Sequence, residues 1–226
     1  MNKLDLIIYH GWALSPAYYN DWLQLKRDIF NVKFFDRRYF ISNQDKVEDY
    51  ANFTPQIIIA HSLGLHLLPV DSLANCKLLV VIAGFDQFYS QDLTVRNIES
   101  KIIKRMKNKL INQPIDLLRE FYNNCGLIYD QNYSPDYNLL MQDLDYLVTS
   151  KLDLSKINFN GKVLIMHGND DKIINVDKAN DLRDYFKEYN QALSVKTIFF
   201  DDIGHNLPMA RSSECLENIL DFYYKD

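Results

Sequence analysis

Polar side chains occur along the chain in the order that nucleophilic catalysis by serine requires. Ser62 follows the apolar run IIIA and His61, the neighbours Asp170 and Asp171 follow a later apolar run, and His205 comes after the last one. A serine hydroxyl is a weak nucleophile until a histidine takes its proton, and a carboxylate must fix the tautomer of that histidine. Since the order serine, aspartate, histidine is one in which such triads occur, we predict acyl-transfer chemistry.

The residues around Ser62 predict that its hydroxyl is held above the edge of a sheet. The segment AHSLG matches the GxSxG pattern of a nucleophile elbow, with Ala60 in place of the first glycine and Gly64 as the second. The next residues, LGLHLLPVDSL, predict a helix whose positive N-terminal end points at the serine. The alternative is a strand that ends in a helix-capping serine, which is a common arrangement.

Two backbone amides are candidates for binding the oxyanion of a tetrahedral intermediate. Such an intermediate needs two fixed N–H donors. The amide of Leu63 directly follows the candidate nucleophile, and the amide of Trp12 lies in the loop His10-Gly11-Trp12 after the first apolar run. The side chain of Trp12 would then line the pocket. The alternative is an ordinary His-Gly turn beside a tryptophan of the core.

The elements that must position these residues follow from the hydrophobic pattern. Runs that are apolar at nearly every position suit strands buried on both faces of a parallel sheet. Helical spacing appears between most of them, at 16–29, 176–189 and 213–224, which predicts an α/β fold with a doubly wound, mostly parallel sheet. The predicted strands are 4–10, 32–36, 56–61, 77–83, 162–167 and 195–200.

The segment from about 90 to 152 interrupts the alternation of strands and helices. It has helix-like patches such as IKRMKNKLI and IDLLREFYNN and no strand pattern. A connection of this length exceeds a simple crossover between neighbouring strands. We therefore predict one domain over residues 1–226, with a helical lid at about 90–152.

Composition and charge restrict the classes of partner and the cellular location. The net charge of −5 among 226 residues gives no general attraction to nucleic acid or to an anionic membrane. No apolar run approaches the roughly 18 residues that a membrane span requires, and the N-terminus is too quickly polar for a signal peptide. The three cysteines, at 76, 125 and 215, form no CxxC pair. We expect a cytoplasmic protein without a disulfide framework.

Four histidines besides His205 lie at or near the ends of predicted elements and could be imagined as metal ligands. We expect them to form local hydrogen bonds instead, and we predict no metal and no organic cofactor. They are His10, His61, His66 and His167, and Asp170 would be the carboxylate beside them.

At these motifs the chain resembles the α/β-hydrolase superfamily. More narrowly, it is similar to the pimeloyl-acyl-carrier-protein methyl ester esterases of biotin synthesis. The resemblance is carried by HGWALSP near the N-terminus, SLG at the elbow, LLREFYNN in the predicted lid, LDYLVTSKLDLSKINFNGKVLIMHGNDDKII, and the final Gly-His pair.

The resemblance implies roles for individual residues. In such enzymes the catalytic acid stands four residues after the histidine of the HG pair, which selects Asp171 over Asp170 and gives the triad Ser62, Asp171 and His205. The oxyanion amides fall on Trp12 and Leu63. Phe121 falls where a lid aromatic lines the acyl pocket.

The resemblance also implies an acyl carrier protein as partner. The segment KIIKRMKNK (101–109) holds five basic residues and no acidic one. Lys101, Lys104 and Arg105 have the i, i+3, i+4 spacing of one helix face, and we expect this face to dock an acidic carrier protein. The alternative is a solvated helix face. We expect the protein to be a monomer.

The predicted activity is hydrolysis of pimeloyl-acyl-carrier-protein methyl ester to the free carboxylate and methanol. A general short-chain carboxylesterase or thioesterase is the alternative among enzymes. A hydrolase-fold protein that binds a ligand or partner without catalysis is the alternative in another class.

Overall fold

In the part of the chain that the structure describes, six parallel strands form the central sheet. The structure is a computed structural model, and it describes residues 3–25, 28–41, 53–130 and 134–225. The strand order in the sheet is β2-β1-β4-β5-β7-β8, and every neighbouring pair is parallel. The strands are β1 Leu4–Tyr9, β2 Phe30–Phe35, β4 Ile57–His61, β5 Leu78–Ile82, β7 Lys162–Gly168 and β8 Val195–Phe200. This confirms the predicted fold class.

The central strands are buried on both faces, as their apolar sequences require. Every residue of β4 and β5 is buried, and so is every residue of β7 after Lys162. The strand β8 lies at one edge of the sheet, and most of its residues are half-buried. A parallel sheet of this kind needs helices on both faces, because neither face can be left to water.

Among the described residues, α-helices and two short 3-10 segments complete the fold. The 3-10 segments are Pro16–Tyr19 and Val70–Asn75. The α-helices are α1 Asn20–Gln24, α2 Gly64–Leu67, α3 Leu93–Asn112, α4 Pro114–Cys125, α5 Tyr137–Thr149, α6 Asp177–Tyr189, α7 Leu207–Ala210 and α8 Ser212–Tyr224. None of the described helices combines the length and the apolar character that a bilayer span requires.

Alternate residues along the strands supply two hydrophobic cores, one on each face of the sheet. Ile8 and Ile59 belong to the core that also contains Ile219 of α8. Ile58 belongs to the opposite core, together with Leu182 of α6. The period of two along a strand places these neighbours on opposite faces, so the sheet is held from both sides.

The helices α3, α4 and α5, which lie between β5 and β7, form what we call the helical insertion. Its apolar residues, such as Leu118 and Leu144, form a third core with Trp12 and Leu63 from the ends of the sheet. The helix-like patches IKRMKNKLI and IDLLREFYNN lie within α3 and α4, as predicted. A two-residue strand, β6 Ser134–Pro135, also lies here and pairs antiparallel with β3 Phe40–Ile41, although the sequence predicted no strand.

Buried polar contacts tie the helical insertion to the rest of the chain. The carboxylate of Asp143 on α5 accepts two hydrogen bonds from the guanidinium of Arg37, at 2.8 and 2.9 Å. The hydroxyl of Tyr39 donates to the same carboxylate over 2.6 Å. Removing one partner would leave a buried charge without compensation, so these contacts hold α5 firmly over the loop after β2.

Two predicted helices are shorter than the sequence indicated. The prediction of a helix over 16–29 is wrong beyond Gln24, because Leu25 is extended (φ −77°, ψ 124°) and β2 begins at Phe30; residues 26 and 27 lie outside the described residues. The helix predicted after Ser62 has only four residues. It ends before Leu68, which is extended as expected of a residue that precedes a proline, here Pro69.

Candidate active site

Ser62 occupies a tight turn between β4 and α2. Its φ is +56°, a value that L-residues rarely adopt, and its side chain is 5% exposed. Its backbone N–H donates to the carbonyl of Ile82 over 2.9 Å, which extends the pairing of β4 with β5. A Cβ on Gly64 would lie 2.3 Å from the carbonyl oxygen of Tyr9, so only glycine fits there. This is the geometry that the elbow motif predicted.

His205 and Asp171 are in direct contact. The Nδ1–H of His205 donates to Oδ2 of Asp171 over 2.8 Å, and both side chains are almost completely buried. The second oxygen, Oδ1, accepts the backbone N–H groups of Ile173 and Ile174 at 2.7 and 2.9 Å. The carboxylate is thus fixed in orientation and presents one oxygen to the imidazole, as a carboxylate that orients a base must.

The loops that carry these two residues are packed against each other. A Cβ on Gly168 would lie 2.3 Å from the carbonyl oxygen of Ile203, and Asp170 donates its backbone N–H to the same carbonyl over 3.0 Å. Asp170 itself is exposed, so the structure pairs Asp171 rather than Asp170 with His205.

The pKa of Asp171 is lowered although the residue is buried. Burial on its own would raise it, but the nearby His205, its hydrogen bond and the backbone N–H of Ile174 together favour the charged form. His167 contributes in the same direction, with Nε2 at 3.5 Å from Oδ2. Asp171 is therefore an ionised carboxylate, which is the form that stabilises an imidazolium.

His61 joins the nucleophile elbow to the loop of His205. Its Nε2 lies 3.0 Å from the backbone carbonyl oxygen of His205, and its Nδ1 lies 2.6 Å from the hydroxyl oxygen of Tyr19. Because a carbonyl oxygen only accepts, the proton is on Nε2 and the tyrosine hydroxyl donates to Nδ1. Burial, followed by the charge of His205, holds the pKa of His61 well below its usual value, so this imidazole is neutral.

The imidazole of His205 lies close to the nucleophile elbow. Its ring centroid is 4.7 Å from that of His61, the residue before Ser62. Among the described residues, Ser62 Oγ makes no hydrogen bond. The contact between serine and base is often long before substrate binds, so this arrangement is compatible with a triad.

The two candidate oxyanion amides donate to no acceptor among the described residues. In the described ranges, neither the amide of Trp12 nor that of Leu63 donates to a backbone carbonyl. The side chain of Trp12 is fixed by a hydrogen bond from Nε1 to the carbonyl of Leu140 over 2.9 Å. Its ring meets Phe121 edge to face, with centroids 4.9 Å apart. The rings of Trp12 and Phe121 are therefore in contact.

A cavity of about 750 Å³ contains Ser62 and runs beneath the helical insertion. Its lining includes Trp12, Leu63, Phe121 and Asp171. Most of the remaining wall is apolar, and part of it is the N-terminal half of α3, whose Val95, Ile98 and Ile102 remain substantially exposed. A mostly apolar wall is usual for a small-molecule site, and here several charged and amide side chains, such as Glu99 and Lys178, accompany it.

The basic residues of α3 are partly neutralised by neighbouring acids. Lys101, Lys104 and Arg105 are all exposed. Arg105 pairs with Glu120 at 2.7 Å, and Lys109 pairs with the same carboxylate. Lys107 pairs with Asp145. Within the described part of the chain Lys101 and Lys104 form no ion pair, so the available charge of this face is smaller than the sequence indicated.

The other histidines have local hydrogen-bond partners. His10 Nδ1 lies 2.9 Å from the carbonyl of Gly11, His66 Nε2 lies 3.0 Å from that of Phe85, and His167 Nε2 lies 3.0 Å from that of Ile174. No group of three histidines, cysteines or acids in the described ranges is placed to hold a metal ion.

Two features of the site have only weak signals in the sequence. The bridge from Tyr19 through His61 to His205 joins residues far apart in the chain, and no local pattern predicts it. Lys178 lines the cavity and is 6% exposed. Its only signal is its position on α6, four residues before the buried Leu182.

Comparison with known proteins identifies the fold. No family model and no curated protein matches the chain. Among solved structures, an esterase from Exiguobacterium antarcticum is 14% identical with a TM-score of 0.73, over 99% of this chain and 93% of that one. An enol-lactonase from Burkholderia xenovorans is 12% identical with a TM-score of 0.73, over 100% and 93%.

A third structure agrees with these two over the whole chain. A bromoperoxidase from Bacillus anthracis is 19% identical with a TM-score of 0.71, over 100% of this chain and 93% of that one. The chain has the α/β-hydrolase fold. In this fold Ser62, Asp171 and His205 lie at the carboxyl ends of β4, β7 and β8, which is the edge where open α/β sheets bind ligands.

Proposed function

We propose that the protein is a serine hydrolase that cleaves carboxylic esters. The observation that carries this proposal is the Asp171–His205 pair, with its 2.8 Å hydrogen bond, beside a serine on a positive-φ turn that opens into a cavity. A buried, ionised carboxylate that orients a histidine next to an elbow serine has a direct use in acyl transfer.

The reaction follows from the positions of these groups. His205 Nε2 takes the proton of Ser62 as Oγ attacks the ester carbonyl carbon, and the oxyanion is stabilised by the amides of Trp12 and Leu63. Collapse of this intermediate breaks the ester C–O bond, and His205 returns the proton to the leaving alcohol. Water then attacks the acyl-enzyme with His205 as base, which releases the acid and restores Ser62.

We propose pimeloyl-acyl-carrier-protein methyl ester as the substrate within this class. The support is the resemblance in sequence, together with an apolar cavity that offers room for an aliphatic acyl chain. The product would be the free carboxylate, still attached to its carrier, and methanol. Two proteins of similar fold are an esterase and an enol-lactonase, which favours ester hydrolysis in general and leaves a short-chain carboxylesterase as the alternative.

One set of assays tests both the proposed ester hydrolysis and the proposed carrier-bound substrate. Wild-type protein and Ser62→Ala are assayed with the carrier-bound methyl ester and with a simple short-chain aryl ester. If the wild type cleaves the carrier-bound ester much faster than the aryl ester and Ser62→Ala cleaves neither, both the ester hydrolysis and the carrier-bound substrate are supported. Cleavage of only the aryl ester supports the short-chain carboxylesterase. Cleavage of neither contradicts enzymatic ester hydrolysis and favours a binding protein.

The carrier protein is proposed to dock on the exposed face of α3. Lys101 and Lys104 supply its unpaired charge, and Arg105, which lines the cavity, would sit at the entrance. The double reversal Lys101→Glu with Lys104→Glu should lower kcat/KM for the carrier-bound ester about tenfold and leave the aryl ester unaffected. Lys77→Glu, at the opposite edge of the sheet, is the matched control. An equal kcat/KM for the carrier-bound ester in the wild type, the double variant and Lys77→Glu would contradict docking on this face.

A further inference from the structure

Lys178 is a buried cation in the wall of the cavity that contains Ser62. It lies in the first turn of α6, it is 6% exposed, and it belongs to the cavity lining. Its Nζ donates to the backbone carbonyl of Gln87 over 3.1 Å. A lysine is rarely buried to this degree unless its charge has a partner.

The described residues leave most of the hydrogen-bonding capacity of Lys178 unused. An ammonium group has three donors, and the carbonyl of Gln87 is the one acceptor that the described part of the chain supplies. No ion pair found there includes Lys178. Asp181, one turn along α6, is near enough to feel its charge, but burial dominates and the pKa of Asp181 is raised.

The other cations of the cavity are in a different situation. Arg105 and Lys109 share the carboxylate of Glu120, so each of them has an anionic partner. Lys172 is exposed to solvent. Lys178 is therefore the cation of this lining that is both buried and without a carboxylate partner among the described residues.

The surroundings of Lys178 suit an aliphatic chain that ends in oxygen. Phe85, Phe88, Leu147 and Ile174 supply apolar wall in the same cavity as Ser62 and Lys178. In such a cavity, apolar walls hold methylene groups while polar groups in the wall fix the position of a ligand oxygen. A ligand oxygen would also complete the unused donors of a desolvated ammonium, which strengthens the contact.

We infer that Lys178 binds a second carbonyl-type oxygen, at the far end of an acyl chain whose scissile ester lies at Ser62. Such an oxygen is present in esters of aliphatic dicarboxylic acids, the class to which the proposed substrate belongs, and is absent from esters of simple fatty acids. The second oxygen belongs either to a free carboxylate or to a neutral ester or thioester. This inference rests on the proposed function, because it places the scissile ester at Ser62.

Three esters of equal chain length test the inference. They are the monomethyl ester of heptanedioic acid, its dimethyl ester, and methyl heptanoate, which lacks the second carbonyl. The wild type should prefer the first two to methyl heptanoate by about tenfold or more in kcat/KM. In Lys178→Met this ratio should fall to near one. Lys77→Met, which removes an exposed lysine outside the cavity lining, should retain the wild-type ratio.

The pattern of the loss identifies the source of the oxygen. If Lys178→Met loses the preference over methyl heptanoate for the monomethyl ester only, the second oxygen belongs to a free carboxylate. If Lys178→Met loses the preference for both dicarboxylic esters, the second oxygen is a carbonyl oxygen that the neutral ester also has. If the wild type shows no preference, or if Lys178→Met keeps the full preference, the inference is wrong. Lys178→Gln provides a second variant if the methionine protein does not fold, as judged by its thermal unfolding.

A binding experiment separates failure of this inference from failure of the proposed function. Heptanedioate and heptanoate are titrated by calorimetry into Ser62→Ala, with and without Lys178→Met. Tighter binding of heptanedioate that depends on Lys178 supports the inference even if no ester is cleaved. Ester cleavage by the wild type with equal binding of the two acids supports the proposed function and contradicts the inference.

Discussion

The imidazole of His61 donates a hydrogen bond of 3.0 Å to the backbone carbonyl of His205. The residue beside the candidate nucleophile thus holds the main chain of the candidate base, while Asp171 holds the base's side chain. Tyr19 fixes His61 in turn, through its hydroxyl. The candidate nucleophile turn and the candidate base are therefore linked through buried contacts that need no substrate.

Loss of the His61 bridge should reduce turnover more than substrate binding. In His61→Ala we expect kcat to fall about 10- to 100-fold with little change in KM, because His205 loses its orientation. His61→Gln, whose amide nitrogen can replace Nε2, should retain more activity than His61→Asn. His66→Ala removes another buried histidine that faces a carbonyl, and it should retain kcat. Equal kcat in His61→Ala and wild type would contradict the bridge's role.

Asp171→Asn should abolish most ester hydrolysis without unfolding the protein. The amide oxygen would accept the backbone N–H groups of Ile173 and Ile174, which turns the amide NH₂ toward Nδ1 of His205 and favours the wrong tautomer. A neutral amide also does not stabilise an imidazolium, so we expect kcat to fall about 10³- to 10⁴-fold. Asp170→Asn alters the exposed neighbour and is the matched control. Steady-state kinetics on an aryl ester measure both. A large loss in the Asp170 variant, with activity retained in Asp171→Asn, would contradict the assignment of the acid.

Gly64→Ala should destabilise the elbow. The added Cβ would lie 2.3 Å from the carbonyl oxygen of Tyr9, so β1 and α2 would have to separate. We expect a loss of about 2–4 kcal/mol in the free energy of unfolding, measured by denaturant titration, and a lower kcat. Ala60→Gly changes the other small residue of the motif without adding atoms and should cost less. A fully stable Gly64→Ala protein would contradict this packing.

The buried histidines should make the protein less stable in mild acid. Burial lowers the pKa of His66 to about 4, against a usual value of 6.5. Between these values the unfolded chain binds a proton that the folded chain does not, so stability is present above pH 6.5 and falls as the pH decreases toward 4.

This one residue should account for on the order of 3 kcal/mol of the loss between pH 7 and pH 4. Denaturant unfolding of wild type and His66→Asn at the two pH values measures it. The wild type should lose more stability than the variant. An equal loss in both proteins would show that His66 is not responsible.

The sheet and most of the candidate site are predictable from local sequence. The runs in β4, β5 and β7 are apolar at nearly every position because both faces are covered, and this pattern needs no tertiary information. Ser62 and Gly64 are recognisable because the turn itself requires a small residue two positions after the nucleophile.

What local sequence does not reveal depends on contacts between distant residues. The pairing of β3 with β6 involves two residues in each strand, which is too short for a periodic signal. The bridge of Tyr19 and His61 to His205 and the burial of Lys178 arise only when the chain is folded. The helix after Ser62 is shorter than its sequence predicts. The apolar spacing continues across Pro69, but the proline ends the helix.

The most direct test of the account is covalent labelling of Ser62. The protein is treated with a fluorophosphonate, which reacts with serines activated by a neighbouring base, and the adduct is located by peptide mass spectrometry. We predict one adduct per chain, on Ser62, that is absent from Ser62→Ala and greatly slowed in His205→Ala. If folded wild-type protein is not labelled, or is labelled on another residue, Ser62 is not an activated nucleophile and the proposed hydrolase chemistry is wrong.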